Sequence, residues 1–201
     1  MSGLRFSGRE LRDFAVAWLA LGVAFTLFLD RGLVFAAVSG TGVTGPLVRA
    51  VVASLLTVGA GFLLHELAHK IVAVRFGQVA EFRADYGMLF LAVVSALVGF
   101  LFAAPGAVYH RGRTSPRENG LIALAGPAAN VLLAGLFYPL SVVGPAASLA
   151  DLGVTINVLL AGFNLLPVGP LDGRTVLAWS LPVYLAVAVP GIGLAAAVLL
   201  L

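Results

Sequence analysis

The residues best suited to chemistry lie in one short stretch, His-Glu-Leu-Ala-His-Lys at positions 65–70. His65 and His69 are four residues apart, so a helix would carry both imidazoles on one face. Glu66 would lie about 100° around the same turn, within reach of a water beside a bound metal. This pattern predicts two zinc ligands and a general base. The alternative is a buried polar cluster that holds helices together.

A catalytic zinc site needs a third protein ligand and an open position for water. Besides the pair at 65 and 69, the sequence offers one histidine and several carboxylates. Asp172 is the carboxylate that follows an apolar helix at a matching depth, although it would also suit the N-cap of the next helix. The other candidates are weaker because they fall in polar loops or at the far membrane side: His110, Glu81, Asp85 and Asp151.

The composition is that of an integral membrane protein. Of 201 residues, 61% are hydrophobic and 10% are charged, whereas a soluble domain carries about 25% charge. The apolar runs are much longer than the roughly 10-residue strands of a barrel, so the expected class is an all-α polytopic protein. The absence of cysteine excludes a disulfide framework and a thiolate metal site. The net charge of +3, without a basic and aromatic cluster, gives no indication of a nucleic-acid partner.

The apolar runs predict about five to six transmembrane helices within one integral-membrane domain, 1–201. A capping box at Ser7–Glu10 should open a first helix that ends near Leu29 and is retained rather than cleaved. Another capping box at Ser115–Glu118, with Pro116 at the first helical position, should open a helix that stops at Pro139. The remaining expectations are a loop or interfacial segment at 32–45, a helix at 47–76, a short strand at 78–86, a helix from about 146 or 151 to 166, and a last segment at 175–201 with proline kinks.

Segment 87–104 is uncharged and long enough to span, but charge favours a re-entrant path. If it returns to the side it left, ten of the twelve basic residues lie on the side of the amino terminus, leaving only Arg31 and Arg49 opposite. If it crosses, the split becomes six against six. A strong excess of Lys and Arg marks the cytoplasmic side. The re-entrant path also brings the histidines and Asp172 to one side of the bilayer.

Three motifs together resemble the site-2 protease family of intramembrane zinc metalloproteases. They are His65-Glu-Leu-Ala-His69, Gly126-Pro-Ala-Ala-Asn130 and Asn164-Leu-Leu-Pro167-Val-Gly-Pro-Leu-Asp172-Gly173. Their order and spacing are similar to the family's over residues 46–176, which would form the catalytic core. The chain departs from many members because it leaves no room for a PDZ or CBS domain.

The resemblance implies one zinc ion per chain, held by His65, His69 and Asp172, with Glu66 as the base that activates water. It implies that Asn164 polarises the scissile carbonyl. Segment 104–110 matches the family's re-entrant β-loop, an edge for an unwound substrate strand. Val108, Tyr109 and Asn130 are therefore assigned to the substrate side, Asn130 also to a buried hydrogen bond. Gly126, Pro127, Pro167 and Gly173 are assigned structural roles.

The implied activity is hydrolysis of peptide bonds in or near transmembrane segments of membrane proteins. The active site and amino terminus should face the cytoplasm. Two other functions stay open: a zinc peptidase acting on juxtamembrane loops, and a zinc-binding membrane scaffold without activity. The intact glutamate argues against the scaffold, because zinc binding alone would not require it.

Overall fold

The computed structural model describes residues 3–101, 104–143 and 146–200, so positions 102, 103 and 201 of the expected segments lie outside it. Helices dominate this part of the chain. The elements in order are α1 (Gly8–Leu29), α2 (Arg31–Val38), α3 (Thr44–Ser54), a π-helical turn (Leu55–Gly59), α4 (Ala60–Arg75), β1 (Val79–Ala84), α5 (Tyr86–Leu97), β2 (Gly106–Arg111), α6 (Pro116–Val142), α7 (Ala147–Asn164), α8 (Asp172–Trp179) and α9 (Leu181–Leu200).

Five helical segments in the described ranges are long and apolar enough to cross a bilayer. They are Gly8–Leu29, Thr44–Arg75, Pro116–Val142, Ala147–Asn164 and Leu181–Leu200. The shortest has 18 residues, which is near the length needed for a hydrocarbon core of about 30 Å. The protein is therefore a polytopic, all-α membrane protein, as the composition predicted.

The chain divides into two compact units. The first comprises Met1–Arg5, Gly61–Glu81 and Val108–Leu201. In it, α6 packs on α7 and α8, and α9 packs on α7 and α8. Its apolar core includes Leu165, Val176 and Tyr184.

The second unit comprises Phe6–Ala60 and Phe82–Ala107, with α1 packed against α5 and α3. Small residues let α1 and α5 approach closely, and Ala24, Ala92 and Ala96 are almost fully buried there. Trp18 of α1 donates from Nε1 to the carbonyl oxygen of Leu55 at 3.0 Å, at the start of the π-helical turn.

β1 and β2 form a two-stranded sheet, which confirms the short hairpin expected near 78–110. Its register follows from contacts at each end. Asp85 donates its N–H to the Pro105 carbonyl at 3.0 Å, while a Cβ on Gly112 would overlap the side chain of Gln78. These pairings run in opposite directions, so the strands are antiparallel, and Arg83 lies opposite Ala107.

The segment between the strands leaves the hairpin and returns to it. Helix α5 has 12 residues, or about 18 Å at 1.5 Å per residue, well short of a bilayer core. The hydrogen bond from Asp85 to Pro105 joins the residues on either side of residues 86–104. The two ends of this segment therefore lie side by side, as the re-entrant path predicts.

Within the segment 32–45, expected as a loop or an interfacial segment, residues 31–38 form the short helix α2, which ends before the turn glycines Gly40 and Gly42, both at φ 75°. Two expectations for the elements were wrong. Helix α6 continues past Pro139 to Val142, since a proline this near the end removes only one ladder bond. The last segment is two helices, because Ser180 is extended (φ −157°, ψ 110°) between α8 and α9.

Candidate metal centre

Three side chains converge in the first unit. His65 Nε2 lies 3.0 Å from His69 Nε2, and Asp172 Oδ2 lies 3.2 Å from the first nitrogen and 3.3 Å from the second. Both imidazoles are buried, and Asp172 is partly buried. Their ligand atoms all lie within 4.8 Å of one another, so within the described ranges these three side chains form a group that could hold a metal ion.

The tautomers of both histidines follow from their partners. His65 Nδ1 is 2.6 Å from Asn130 Oδ1, and His69 Nδ1 is 2.7 Å from the carbonyl oxygen of Ile122. Both partners can only accept, so each Nδ1 carries the proton and donates. In the neutral rings each Nε2 is then a bare lone pair, and the two lone pairs face each other. They need a cation between them.

The geometry fits zinc. Zinc–nitrogen and zinc–oxygen bonds of about 2.0–2.1 Å in a tetrahedron separate neighbouring ligand atoms by about 3.3–3.4 Å. The three observed separations are 3.0, 3.2 and 3.3 Å. In addition, Asp172 Oδ2 is buried and makes no hydrogen bond of good geometry within the described residues. A buried carboxylate oxygen beside two nitrogen lone pairs fits a shared metal ion.

The spacing along α4 and the contact between α7 and α8 position the three groups. The four-residue spacing on α4 places the histidines one turn apart. Asp172 is the first residue of α8, and Leu171 takes the N-cap position. A Cβ on Gly173 would overlap the carbonyl oxygen of Leu165. The glycine therefore lets the start of α8 lie against the end of α7, and this contact fixes the depth of Asp172.

A buried amide network orients His65. Asn130 is fully buried and accepts from His65, and its Nδ2 donates to the Gly61 carbonyl at 3.1 Å and to Asn157 Oδ1 at 2.9 Å. Asn157 Nδ2 in turn donates to the Gly153 carbonyl at 2.9 Å. Each donor in this series of hydrogen bonds faces an acceptor, which fixes the orientation of both amides. Such partners raise ligand basicity and hold the ring in place.

Helix α6 also holds His69 and leaves room beside both rings. Pro127 has no N–H, so it removes the ladder bond to the carbonyl of Ala123, next to the Ile122 carbonyl that His69 uses. A Cβ on Gly126 would overlap Nε2 of both histidines. Only glycine leaves this space open at that position of α6.

Glu66 lies beside the hairpin. The backbone N–H of Val108 lies near its carboxylate, and Glu66 is 7% exposed. The register places Val108 among the residues of β2 whose N–H and C=O groups point away from β1. The carboxylate therefore lies close to the outer edge of β2.

Comparison with known proteins places the chain in a family. Over 199 residues it is 41% identical to "Putative zinc metalloprotease MJ0611" of Methanocaldococcus jannaschii, covering 96% of each chain. It is 31% identical over 147 residues to "Putative zinc metalloprotease YwhC" of Bacillus subtilis, covering 61% of this chain and 66% of that protein. It is 36% identical over 121 residues to "Putative zinc metalloprotease Rip3" of Mycobacterium tuberculosis, covering 57% and 27%. The chain belongs to the site-2 protease family of zinc metalloproteases. No protein-family model matches the chain, and no solved structure matches it.

The family assignment confirms a zinc-dependent protease that resides in a membrane. In this metalloprotease Asn164 is the last residue of α7, and its Nδ2 donates to the Leu160 carbonyl at 2.9 Å. An amide nitrogen carries two N–H donors, so this bond leaves one for another acceptor. Pro167 lies in the connection from α7 to α8, and Tyr109 on β2 is 65% exposed.

The other ligand candidates of the protease lie elsewhere. Asp85 caps α5 by accepting from the Met88 N–H at 3.0 Å. Asp151 is exposed on α7, and Glu81 lies in β1. His110 is half-buried on β2, where burial lowers the pKa of its imidazole.

Sequence reasoning missed two partners of the site. Asn157 carried a signal, because an amide in an apolar helix is costly unless it has a partner. The Ile122 carbonyl gave no sequence signal, because every residue has a backbone carbonyl. Pro127 frees the neighbouring carbonyl of Ala123 and not that of Ile122, so it marked only the turn of α6 in which the partner lies.

A cavity of about 520 Å³ lies between the start of α6 and helix α8. Its lining includes Ser115, Asn119, Leu171, Arg174 and Trp179. Leu171 and Arg174 are close to Asp172 in sequence, and Ser115, Asn119 and Arg174 give the cavity a polar wall.

Proposed function

We propose that this metalloprotease hydrolyses peptide bonds in or near transmembrane segments of membrane proteins. In this proposal His65, His69 and Asp172 hold one zinc ion and Glu66 is the general base. The observation that carries it is the convergence of the Asp172 carboxylate with two imidazoles of Thr44–Arg75, a segment long and apolar enough to span a bilayer. Polar side chains are disfavoured in such a segment, by about 2.5–3.5 kcal/mol for the charged types on insertion scales, so a membrane helix retains them for chemistry.

When bound, zinc supplies a Lewis acid that lowers the pKa of a water and polarises a carbonyl. The residues of the chain do the rest. Glu66 takes a proton from the water as the water oxygen attacks the carbonyl carbon. It then delivers that proton to the leaving amine as the C–N bond breaks. Asn130 and the Ile122 carbonyl hold the two imidazoles in the orientation the ligand atoms need.

The outer edge of β2 is where an unwound substrate would lie. A peptide bond in a helix is shielded by its own hydrogen bonds, so the segment must become extended before attack. An extended peptide can pair with an exposed strand edge through its backbone. Glu66 lies near the Val108 N–H on this edge, so a strand there would run beside the base. Exposed Tyr109 would contact its side chains.

The side-chain amide of Asn164 has two N–H groups, and one of them donates to the Leu160 carbonyl. The other suits a second role. It would donate to the oxygen on which negative charge develops during attack. Removal of one such donor elsewhere costs about 10²–10³ in kcat. Asn164→Ala is therefore expected to lower kcat while zinc stoichiometry stays the same.

The active site is proposed to face the cytoplasm. Ten of the twelve basic residues fall on the side of the amino terminus when residues 86–104 are re-entrant, and this excess marks the cytoplasmic side. The cavity between the start of α6 and helix α8 has Arg174 and Ser115 in its lining. Water would enter by this route.

The test is cleavage of a single-pass membrane protein in liposomes that contain the purified, zinc-loaded protease. We expect products from the wild type and a loss of about 10²–10⁴-fold in rate for Glu66→Gln with zinc retained. Mass spectrometry of the products locates the cut. A cut only in the loop flanking the membrane would support the juxtamembrane peptidase instead. Equal cleavage by Glu66→Gln would refute the proposed base, and no cleavage of any substrate by zinc-loaded wild type would favour the scaffold.

A further inference from the structure

A two-stranded sheet has two outer edges, and in this hairpin helix α1 closes one of them. Phe82 on β1 donates its N–H to Glu10 Oε1 at 2.9 Å. Ala84 on β1 donates to Asp13 Oδ2 at 3.4 Å. Since Asp85 pairs with Pro105, Phe82 and Ala84 are the residues whose N–H groups point away from β2. Two carboxylates of α1 therefore occupy the N–H groups through which another strand would pair.

These carboxylates are unusual for a helix of this kind. Glu10 and Asp13 are each 1% exposed, and they lie one turn apart on α1. Buried charges need hydrogen-bond donors, and backbone N–H groups supply them here. The Tyr86 hydroxyl adds a donor to Asp13 Oδ1 at 2.7 Å. The pair is thus matched to the N–H groups at the edge of β1.

The edge of β2 differs. There the outward N–H of Val108 lies near Glu66, the proposed base, and within the described residues no carboxylate of α1 bonds it. A peptide that pairs on this edge would lie beside the base. A peptide on the edge of β1 would be two strand spacings away, roughly 10 Å. Hydrolysis therefore requires that an extended peptide choose one edge.

We infer that Glu10 and Asp13 are positioning residues that direct an extended substrate segment to the outer edge of β2. They do so by occupying the competing edge, as proteins commonly block sheet edges against unwanted pairing. This inference rests on the proposed function, because it presumes that the substrate pairs with the hairpin. It adds that Glu10 and Asp13 are the residues that confine this pairing to the edge of β2.

Disulfide cross-linking can report the edge directly, because the chain has no cysteine. Arg83 and Ala107 lie opposite each other in the sheet, so Arg83→Cys and Ala107→Cys probe the two strands at one level. The probe is a single-pass membrane substrate with one cysteine near its cleavage site, in liposomes. The Glu66→Gln background keeps the substrate intact. Cysteines on adjacent strands reach the Cα separation a disulfide needs, whereas those two strands apart do not.

With Glu10 and Asp13 present, we expect about a tenfold excess of cross-link at Ala107→Cys, the ratio that one to two strand hydrogen bonds support. With Glu10→Ala or Asp13→Ala, we expect the preference to be lost as cross-links appear at Arg83→Cys. Glu10→Gln and Asp13→Asn keep an acceptor oxygen and should restore the preference. Asp30→Ala, at the other end of α1, is the matched control and should leave it unchanged.

The outcomes separate the two ideas. Absence of a cross-link at Ala107→Cys when both carboxylates are present would count against pairing with β2, and so against that part of the proposed function. Cross-linking that stays confined to Ala107→Cys in both Glu10→Ala and Asp13→Ala would overturn this inference and leave the proposed function intact. Equal cross-linking at both positions with Glu10 and Asp13 intact would overturn it too, and this arm holds even if an alanine variant fails to fold.

Discussion

At the scale of single residues, the hydrogen bonds of the two imidazoles explain why the site fits a metal. Asn130 and the Ile122 carbonyl take the Nδ1 protons of His65 and His69. Both Nε2 atoms are thereby left as lone pairs 3.0 Å apart. Without a cation this arrangement is repulsive, so the amide and the carbonyl preorganise the site for the ion.

The role of Asn130 leads to a prediction on metal affinity. Asn130→Ala removes the acceptor for His65 and should weaken zinc binding by about 10–100-fold, the usual effect of losing such a partner. Competition with a chromogenic chelator measures this. Asn119→Ala, in the same helix and outside the amide network, is the control. An unchanged affinity for Asn130→Ala would show that His65 holds its orientation without the amide.

The candidate site was largely predictable at this scale, for a physical reason. Histidines, carboxylates and amides are so costly in apolar helices that their positions alone mark chemistry. His65, His69 and Asp172 could be named in this way with the help of the family's motifs. The sequence assigned Asn130 to a buried hydrogen bond and to the substrate side, but its bonding partner could not be read from spacing. That partner depends on how α6 packs against α4.

At the scale of elements, α6 serves as the wall behind both histidines. Gly126→Ala should abolish or severely weaken zinc binding, because its Cβ would overlap both Nε2 atoms. Gly135→Ala in the same helix is a matched control, since a Cβ there meets nothing within 4 Å. Both changes gain the same helix propensity, about 1 kcal/mol. Zinc stoichiometry of the purified variants decides, and full zinc content in Gly126→Ala would disprove the overlap.

Elements were predicted best where a local signal was strong. The capping box at Ser115–Glu118 begins α6 as expected, with Ser115 and Glu118 bonded in both directions. At the start of α1, Ser7 accepts from the Glu10 N–H, but the Glu10 carboxylate accepts from Phe82 on β1. A contact that distant in sequence leaves no local pattern. The break at Ser180 was missed for a similar reason, since no glycine or proline occupies that position.

At the scale of the whole molecule, the proposed re-entrant path would put the loop before α6 on the side of the amino terminus. Thr41 and Arg113 are both exposed. A membrane-impermeant maleimide should label Thr41→Cys in intact cells, and Arg113→Cys only after permeabilisation. The cysteine-free chain makes each label unambiguous. Labelling of both positions from outside would contradict the re-entrant topology. The reverse pattern, with only Arg113→Cys labelled from outside, would keep that path and contradict the cytoplasmic orientation.

Hydropathy alone could not decide this topology, because residues 87–104 are long and apolar enough to cross. The count of basic residues favoured a return, and the hydrogen bond from Asp85 to Pro105 agrees with one. The helix itself ends after 12 residues. A turn at Gly99, whose φ is 83°, follows it, a feature that a window average conceals.

The central claim is that His65, His69 and Asp172 together hold the catalytic zinc. X-ray absorption at the zinc edge, on the purified wild type and on Asp172→Ala, tests it most directly. We predict about four nitrogen and oxygen ligands at about 2.0–2.1 Å, with the scattering of two imidazoles. We also predict that Asp172→Ala loses one oxygen ligand or the metal. A wild-type spectrum without two imidazoles, or an identical spectrum and zinc content in Asp172→Ala, would contradict the claim.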